Sequence, residues 1–402
     1  MPTSDTSAFF DIEETTHAAY FQANFDTDNL GVPVRGNLGV RYVDTSIDST
    51  GNTIVNDTAN LVVTESSYNF WLPRFNIVAE PREDVLLRLG VSRDIRRPNF
   101  DNLSTSVEFN TGPNDGVEIG NPGLLPESVW SFDVSAEYYF APSSILSVGF
   151  FHKIREDVFT QSIDPASRLL DGSGQTIADV TGPVCEDGGV FNPIADPTGL
   201  NLANPTSGDG VCVDADTVLN GEGVTTQTGV ETAFQYNLSA FEDRLGWASG
   251  FGFIGNYTYQ RQGGSATEFE SNFATLNGPR GVFSALGFDI NQRIELPNLS
   301  NHSFNTTLFY EKYGLSARAR YTWRSSHVSL DDDFFGVQII NGSRGQLNAN
   351  INYALTDNLT IFAEGINLTQ SNQEQFCVAN NALLCFEGLT DRRLTGGISL
   401  RF

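Results

Sequence analysis

No stretch of this sequence approaches the ~18 consecutive apolar residues that a membrane-spanning helix requires. No helical apolar period persists over three turns either. Basic residues are scarce: 23 Lys and Arg stand against 49 Asp and Glu, a net charge of −26. A surface this acidic repels a phosphate backbone, so nucleic acid is set aside as a partner. Divalent ions bridging an anionic surface stay open beside plain solubility as the meaning of that charge. Only four cysteines occur, Cys185, Cys212, Cys377 and Cys385. They fall into two close pairs in loop-like segments, which points to two disulfides formed in an oxidising compartment. The tight spacing and nearby histidines of a zinc site are missing. Hydrophobic residues reach 40%, under the globular average of about 45–50%. The thick apolar segments that would bury 30 Phe and 12 Tyr are therefore lacking. The N-terminal segment MPTSDTSAFFDIEETTHAAYF has no basic region followed by an apolar one. It is not a signal peptide, and the chain reads as part of a longer protein.

What is present is alternation. In YGLSARARYTWR, Tyr313, Leu315, Ala317, Ala319, Tyr321 and Trp323 form one set, and Ser316, Arg318, Arg320, Thr322 and Arg324 belong to the other. One face of such a strand is oily and ends in aromatics, while the other carries guanidinium groups. The same two-residue period recurs in Leu38–Val40–Tyr42, Trp130–Phe132–Val134, Val230–Thr232–Phe234 and Leu347–Ala349–Ile351. About thirteen strands are expected, each of ~10–14 residues, the length of a tilted membrane span.

Connections are read as short near 26–33, 79–84, 141–144, 241–246, 311–314 and 355–358. Long ones are read near 47–61, 98–127, 161–223, 264–300, 325–343 and 373–388. Short and long alternate along the chain. Consecutive antiparallel strands would then put every short turn at one end and every long loop at the other, as in a membrane barrel. The oily face meets lipid and the arginine face a wet lumen, and the strands must close or be completed by other chain. A soluble all-β protein with one buried face is the competing reading.

The segments SRDIRRPNFDNL (92–103), GNPGLLPESVWSFDVSAEYYF (120–140), SILSVGFFHKIREDVF (144–159), LSNHSFNTTLFYEKYGLSARARYTWRSS (299–326) and LTIFAEGINLTQ (359–370) resemble the C-terminal barrel half of TonB-dependent outer-membrane receptors. The finish TGGISLRF, with Thr395, Gly397, Leu400 and Phe402, matches an outer-membrane assembly signal. The resemblance implies an all-β, transmembrane, antiparallel up-and-down barrel, here about 13 of roughly 22 strands over residues 1–402, with the plug domain missing. It implies a Gram-negative outer-membrane receptor for TonB-energised uptake of a ferric siderophore, cobalamin or an oligosaccharide. Partners would be the bilayer and lipopolysaccharide, the barrel-assembly machinery, TonB through the missing plug, and the small-molecule ligand. No cofactor and no enzyme activity are expected. Two sheet edges, near 15–28 and 390–402, should be left unpaired. A passive porin-like channel is the alternative function, and a rim hydrolase a remote third.

Arg318, Arg320, Arg324 and Arg41 should face the lumen with Asp133 and Glu231. Their roles divide between contact with an anionic ligand and ion pairing across the wall, Arg35, Arg393 and Arg401 included, with Asp133, Glu137, Glu231 and Glu364. If the turn EKYG (311–314) centres between residues 312 and 313, Trp323 faces His302, and His327 lies on the order of 13 Å further up, too far to share a proton. Asp331, Asp332 and Asp333 are a weak candidate for a divalent cation against a solvated loop tip. The segment 161–223 is expected to be an extracellular ligand-gathering loop stapled by Cys185 and Cys212, with Cys377 and Cys385 pinning the last outer loop.

Overall fold

The computed structural model describes residues 10–55, 58–105, 117–118, 120–163, 190–192, 210–213, 215–221, 223–264, 298–332, 338–377 and 383–401. Its main element is one sheet of 13 strands in chain order, every neighbouring pair antiparallel. The strands are β1 (Phe10–Thr27), β2 (Val34–Val55), β3 (Thr58–Arg82), β4 (Val85–Arg96), β5 (Glu127–Ala141), β6 (Ser144–Glu156) and β7 (Val224–Asn237). They continue with β8 (Phe251–Gly264), β9 (His302–Lys312), β10 (Leu315–Arg324), β11 (Arg344–Thr356), β12 (Leu359–Ile366) and β13 (Arg393–Leu400).

Register converts the sequence alternation into two faces. Across β3–β8 one row runs Ile77, Leu89, Val134, Phe150, Val230, Tyr259. The adjacent row on the other face runs Asn76, Gly90, Asp133, Phe151, Gly229, Gln260. Large apolar side chains on the first face lie open, among them Leu89, Val134, Phe150, Leu308, Ile351 and Ile398. Water opposes so large an apolar patch, so this face is a contact surface for a membrane or for another apolar partner.

Packing on the opposite face is concentrated at the long-loop end. Ile47 and Tyr68 of β2 and β3 are buried with Leu103 and Leu124 from the segment between β4 and β5. Ser49 donates to the Leu103 carbonyl at 2.7 Å, and Arg97 pairs with Glu14 at 2.5 Å. The RRPNFDNL stretch thus folds back onto β1–β3 instead of projecting freely. Glu127, also buried, accepts from Arg96 and from the Phe159 amide at 2.9 Å.

Several local expectations are corrected. Residues 47–61 are no loop: β2 and β3 are 22 and 25 residues long, and their ladder runs up to Val55 opposite Thr58. The run of hydroxyl and β-branched residues keeps the two-residue period going beyond the oily band, where polar outward side chains suit water. The connection at 241–246 is not a tight turn but part of a helical link spanning 238–250. The turn after β9 centres on Tyr313 and Gly314, both at positive φ (55° and 75°), which suits a two-residue hairpin loop. That placement shifts the pairing, so Trp323 faces Phe304 and not His302. Segments 325–343 and 373–388 build a four-stranded sheet from His327–Asp332, Gln338–Asn341, Gln373–Cys377 and Leu383–Gly388. Within 161–223, short strands include Val211–Val213 and Ala215–Asn220.

β1 and β13 are the edges of the open sheet among the described residues. With an odd number of alternating strands they run in the same direction. Joining them directly would need a parallel ladder, unlike the antiparallel closure of bacterial barrels.

Candidate functional site: the polar wall

The polar face of β3–β11 gathers the residues that carry charge. Glu231 and Arg324 share one cross-strand row, Val78, Arg88, Ser135, Gly149, Glu231, Thr258, Ser303, Arg324, Arg344. They stand three strands apart, ~14 Å at the usual strand spacing. Asp133 lies in the neighbouring row, opposite Gly90 and Phe151. Arg318 and Arg320 sit lower on β10, opposite Asn350 and Asn348. Arg41 is on β2, opposite Tyr20 and Leu72, remote from the others.

The expected cross-wall pairs do not form. Arg318 bonds instead to Glu311 on the preceding strand at 2.5 Å. Glu364 occupies the same row as Arg318 but two strands away, with Asn350 between them, and Arg318 turns to Glu311 instead. Arg35 pairs with Glu80, and Glu137 accepts both Nε and Nη2 of Arg88 at 3.0 and 3.3 Å. Arg320 reaches only the Asn305 amide oxygen, at 3.5 Å. Among the described residues Arg320, Arg324, Arg41, Asp133 and Glu231 make no ion pair.

Around these charges the wall is amide-rich. Asn305 donates to Asn256 at 2.9 Å, Gln346 to Asn348 at 2.9 Å, and Asn76 to Asn37 at 3.0 Å. Gly90, Ser135 and Gly149 line a cavity of about 390 Å³ with Arg88, Asp133, Phe151 and Glu231. Two rings lie flat on glycines of this face: a Cβ on Gly229 would stand 2.4 Å from Phe151, and one on Gly252 2.1 Å from Phe309. Glycine lets each ring lie against the backbone, which keeps the wall low. The alternating Gln346, Asn348, Asn350 and Asn352 were visible in the sequence. The like-charged neighbours Arg324 and Arg344 were not, because their pairing depends on register across a connection of unknown path.

At the long-loop end His327 is fully buried. Its Nδ1 lies 3.3 Å from Ser300 Oγ and its Nε2 3.3 Å from the Asn341 amide nitrogen. Burial first, then the Arg324 charge, lowers its pKa from 6.5. The His302 ring instead bonds the Tyr257 hydroxyl at 2.8 Å. Asp331 and Asp332 lie in the His327–Asp332 strand, and Asp333 is outside the described residues. No metal-ligating cluster occurs among the described residues. Cys377 and Cys385 are joined. Cys212 is disulfide-bonded, while Cys185 lies outside the described residues. Thr395, Gly397 and Leu400 pair with Glu364, Phe362 and Leu359, and Phe402 lies outside the described residues.

A sheet that is apolar on one face, amide- and arginine-lined on the other, and tall at the long-loop end fits the family model described as TonB dependent receptor-like, beta-barrel, which matches residues 2–368. The chain belongs to the TonB-dependent receptor β-barrel family. Among solved structures, the ferric citrate transporter FecA in its unliganded form superposes with a TM-score of 0.57 at 12% identity, over 97% of this chain and 45% of FecA. The ferric-catecholate import receptor Fiu from K12 E. coli in its closed form gives 0.57 at 13% identity, over 98% and 45%. The siderophore receptor PiuA from Acinetobacter baumannii gives 0.54 at 11%, over 97% and 44%. This chain therefore spans less than half the length of these structures. No curated protein sequence matches it.

Proposed function

We propose that residues 1–402 form part of the barrel wall of a Gram-negative outer-membrane receptor that takes up a scarce small ligand with energy supplied through TonB. The ligand class is a ferric siderophore, cobalamin or an oligosaccharide. The reading assigns the outer face to lipid and lipopolysaccharide, and insertion to the barrel-assembly machinery. The observation that carries it is the division of faces: exposed Leu, Val, Ile and Phe on one side, and on the other Arg320 beside amides and Arg324 beside Ser303 and Arg344, neither in an ion pair among the described residues.

Arg320 and Arg324 are assigned to an anionic ligand. A bond from each guanidinium to a ligand carboxylate or catecholate is worth roughly 1.5–3 kcal/mol. Arg320→Gln and Arg324→Gln should each weaken such a ligand about tenfold or more and leave a neutral oligosaccharide unaffected. Titrating the protein in outer-membrane fractions with ferric siderophores, cobalamin and oligosaccharides tests this. The reading fails if the protein partitions to the soluble fraction. The arginine assignment alone fails if an anionic ligand binds both variants as well as the parent.

A passive channel formed by this chain alone is disfavoured by the parallel orientation of β1 and β13, which leaves no antiparallel way to close.

A further inference from the structure

The link between β7 and β8 differs from the other connections at the short-turn end. β9 and β10 are joined through Tyr313 and Gly314, and β11 and β12 through Asp357 and Asn358. Residues 238–250 instead fold as a 3-10 turn (Leu238–Phe241), a single α-turn (Glu242–Leu245) and a second 3-10 turn (Gly246–Gly250). This link is firmly held. Asn237 caps it by accepting from the Ser239 amide at 2.8 Å. Lys312, at the end of β9, donates to the Glu242 carboxylate, the Gly246 carbonyl and the Ser249 hydroxyl at 2.8, 2.8 and 2.6 Å. Gly250 fits so closely that a Cβ there would lie 2.8 Å from Tyr310 and Lys312.

Beside the charged Glu242, Asp243 and Arg244, which are also exposed, this scaffold presents three large apolar side chains. Phe241, Leu245 and Trp247 are exposed, Trp247 to 65%. Trp247 meets Phe251 edge-on at 6.0 Å, and Phe251 meets Tyr310 at 4.9 Å. Phe251 and Tyr310 begin the outer-face row that continues through Ala317, Ile351 and Ala363. The oily surface of the wall therefore runs without a break onto the link. Water opposes three large apolar groups held outward, whereas an indole suits the boundary between acyl chains and headgroups.

We infer that residues 238–250 are a membrane-interface foot, seating Phe241, Leu245 and Trp247 in the phospholipid leaflet at the short-turn end and setting the depth of β7–β10. The inference rests on the outer-membrane reading above and commits to lipid, not a periplasmic protein, as the occupant. Lys312 gives the foot its rigidity.

Bromine-depth quenching tests it. The full chain is refolded into phosphatidylethanolamine–phosphatidylglycerol vesicles doped with phosphatidylcholine brominated near the headgroup or near the chain end. One variant keeps only Trp247 (W71F, W130F, W323F) and a control keeps only Trp323 (W71F, W130F, W247F). Trp247 is expected to lose most of its emission to headgroup-proximal bromine, less to deep bromine, and little to aqueous iodide. Strong iodide quenching of Trp247 with Trp323 still quenched by lipid overturns the foot alone. Iodide quenching of both overturns the membrane reading and the foot with it. Hydroxyl-radical footprinting of the unsubstituted chain in the same vesicles asks the question without substitutions: Trp247 should be protected as Trp323 is, and oxidation of Trp247 with Trp323 protected overturns the foot.

Discussion

Glu127→Ala should release the strand Phe159–Ile163 from the top of the wall. The Glu127 carboxylate is buried and holds two different parts of the chain. Arg96 binds it with Nε at 2.8 Å and Nη2 at 3.0 Å, and the Phe159 amide donates to it at 2.9 Å. The Arg96 guanidinium also stacks 5.1 Å over the Phe159 ring. Arg96 is 65% exposed, so water takes over its charge when the partner is lost, and that part of the loss is below about 1 kcal/mol. The Phe159 amide has no such replacement while the segment stays packed, and orphaning it costs about 1–3 kcal/mol. Together the local loss is about 1–4 kcal/mol. Where opening is fast relative to exchange, that accelerates exchange of the Phe159 amide by roughly 5- to 700-fold. Glu127→Gln keeps an acceptor for Phe159 and loses only charge, so its effect should stay under about tenfold. Amide exchange read by mass spectrometry at Phe159, with amides of β5 as an internal reference, decides the matter. An unchanged rate in Glu127→Ala would refute the assignment of Glu127 as the anchor.

Leu103→Ala removes a buried side chain from the cluster with Ile47, Tyr68 and Leu124; about 2–4 kcal/mol of local stability should be lost, seen as faster protease cleavage within 97–126. The four-stranded loop sheet should loosen in acid. His327 has a depressed pKa when folded, so the unfolded segment takes its proton first. The stability it secures is full above about pH 6.5 and falls as the pH drops through that value, then levels off below the folded pKa. Exchange of the Val328 amide should therefore accelerate on acidification beyond its intrinsic pH dependence, and His327→Gln should abolish the excess. Reducing the Cys377–Cys385 bond should cost the hairpin Gln373–Cys377/Leu383–Gly388 about 2.5 kcal/mol in the chain-entropy view, measured as increased exchange at Phe376 and Phe386 while β12 is unaffected.

Much of the wall was legible because a strand has a two-residue period and nothing else in this chain imitates it. Arg318, Arg320 and Arg324 alternate with Ala317, Ala319, Tyr321 and Trp323, and that alone put the arginines opposite the oil. The edges near 15–28 and 390–402 emerged as β1 and β13 for the same reason. Ion-pair partners were not legible. Glu311 and Arg318 meet because the turn centres on Tyr313 and Gly314, one residue later than the alternative. A one-residue change in a turn re-pairs every residue across the hairpin. The helical link at 238–250 also escaped, since its 13 residues are too few to show a helical period and EDRLG resembles an ordinary turn.

By itself the sequence determined which side chains share a face and about how many strands the main sheet holds, because these follow from local backbone geometry and turn chemistry. Only the tertiary structure decided which charges meet, that Leu103 and Leu124 fold back onto Ile47 and Tyr68, and that His327 is buried. Those outcomes depend on register and on where long connections return, and contacts between residues far apart in the chain leave no periodic trace in it.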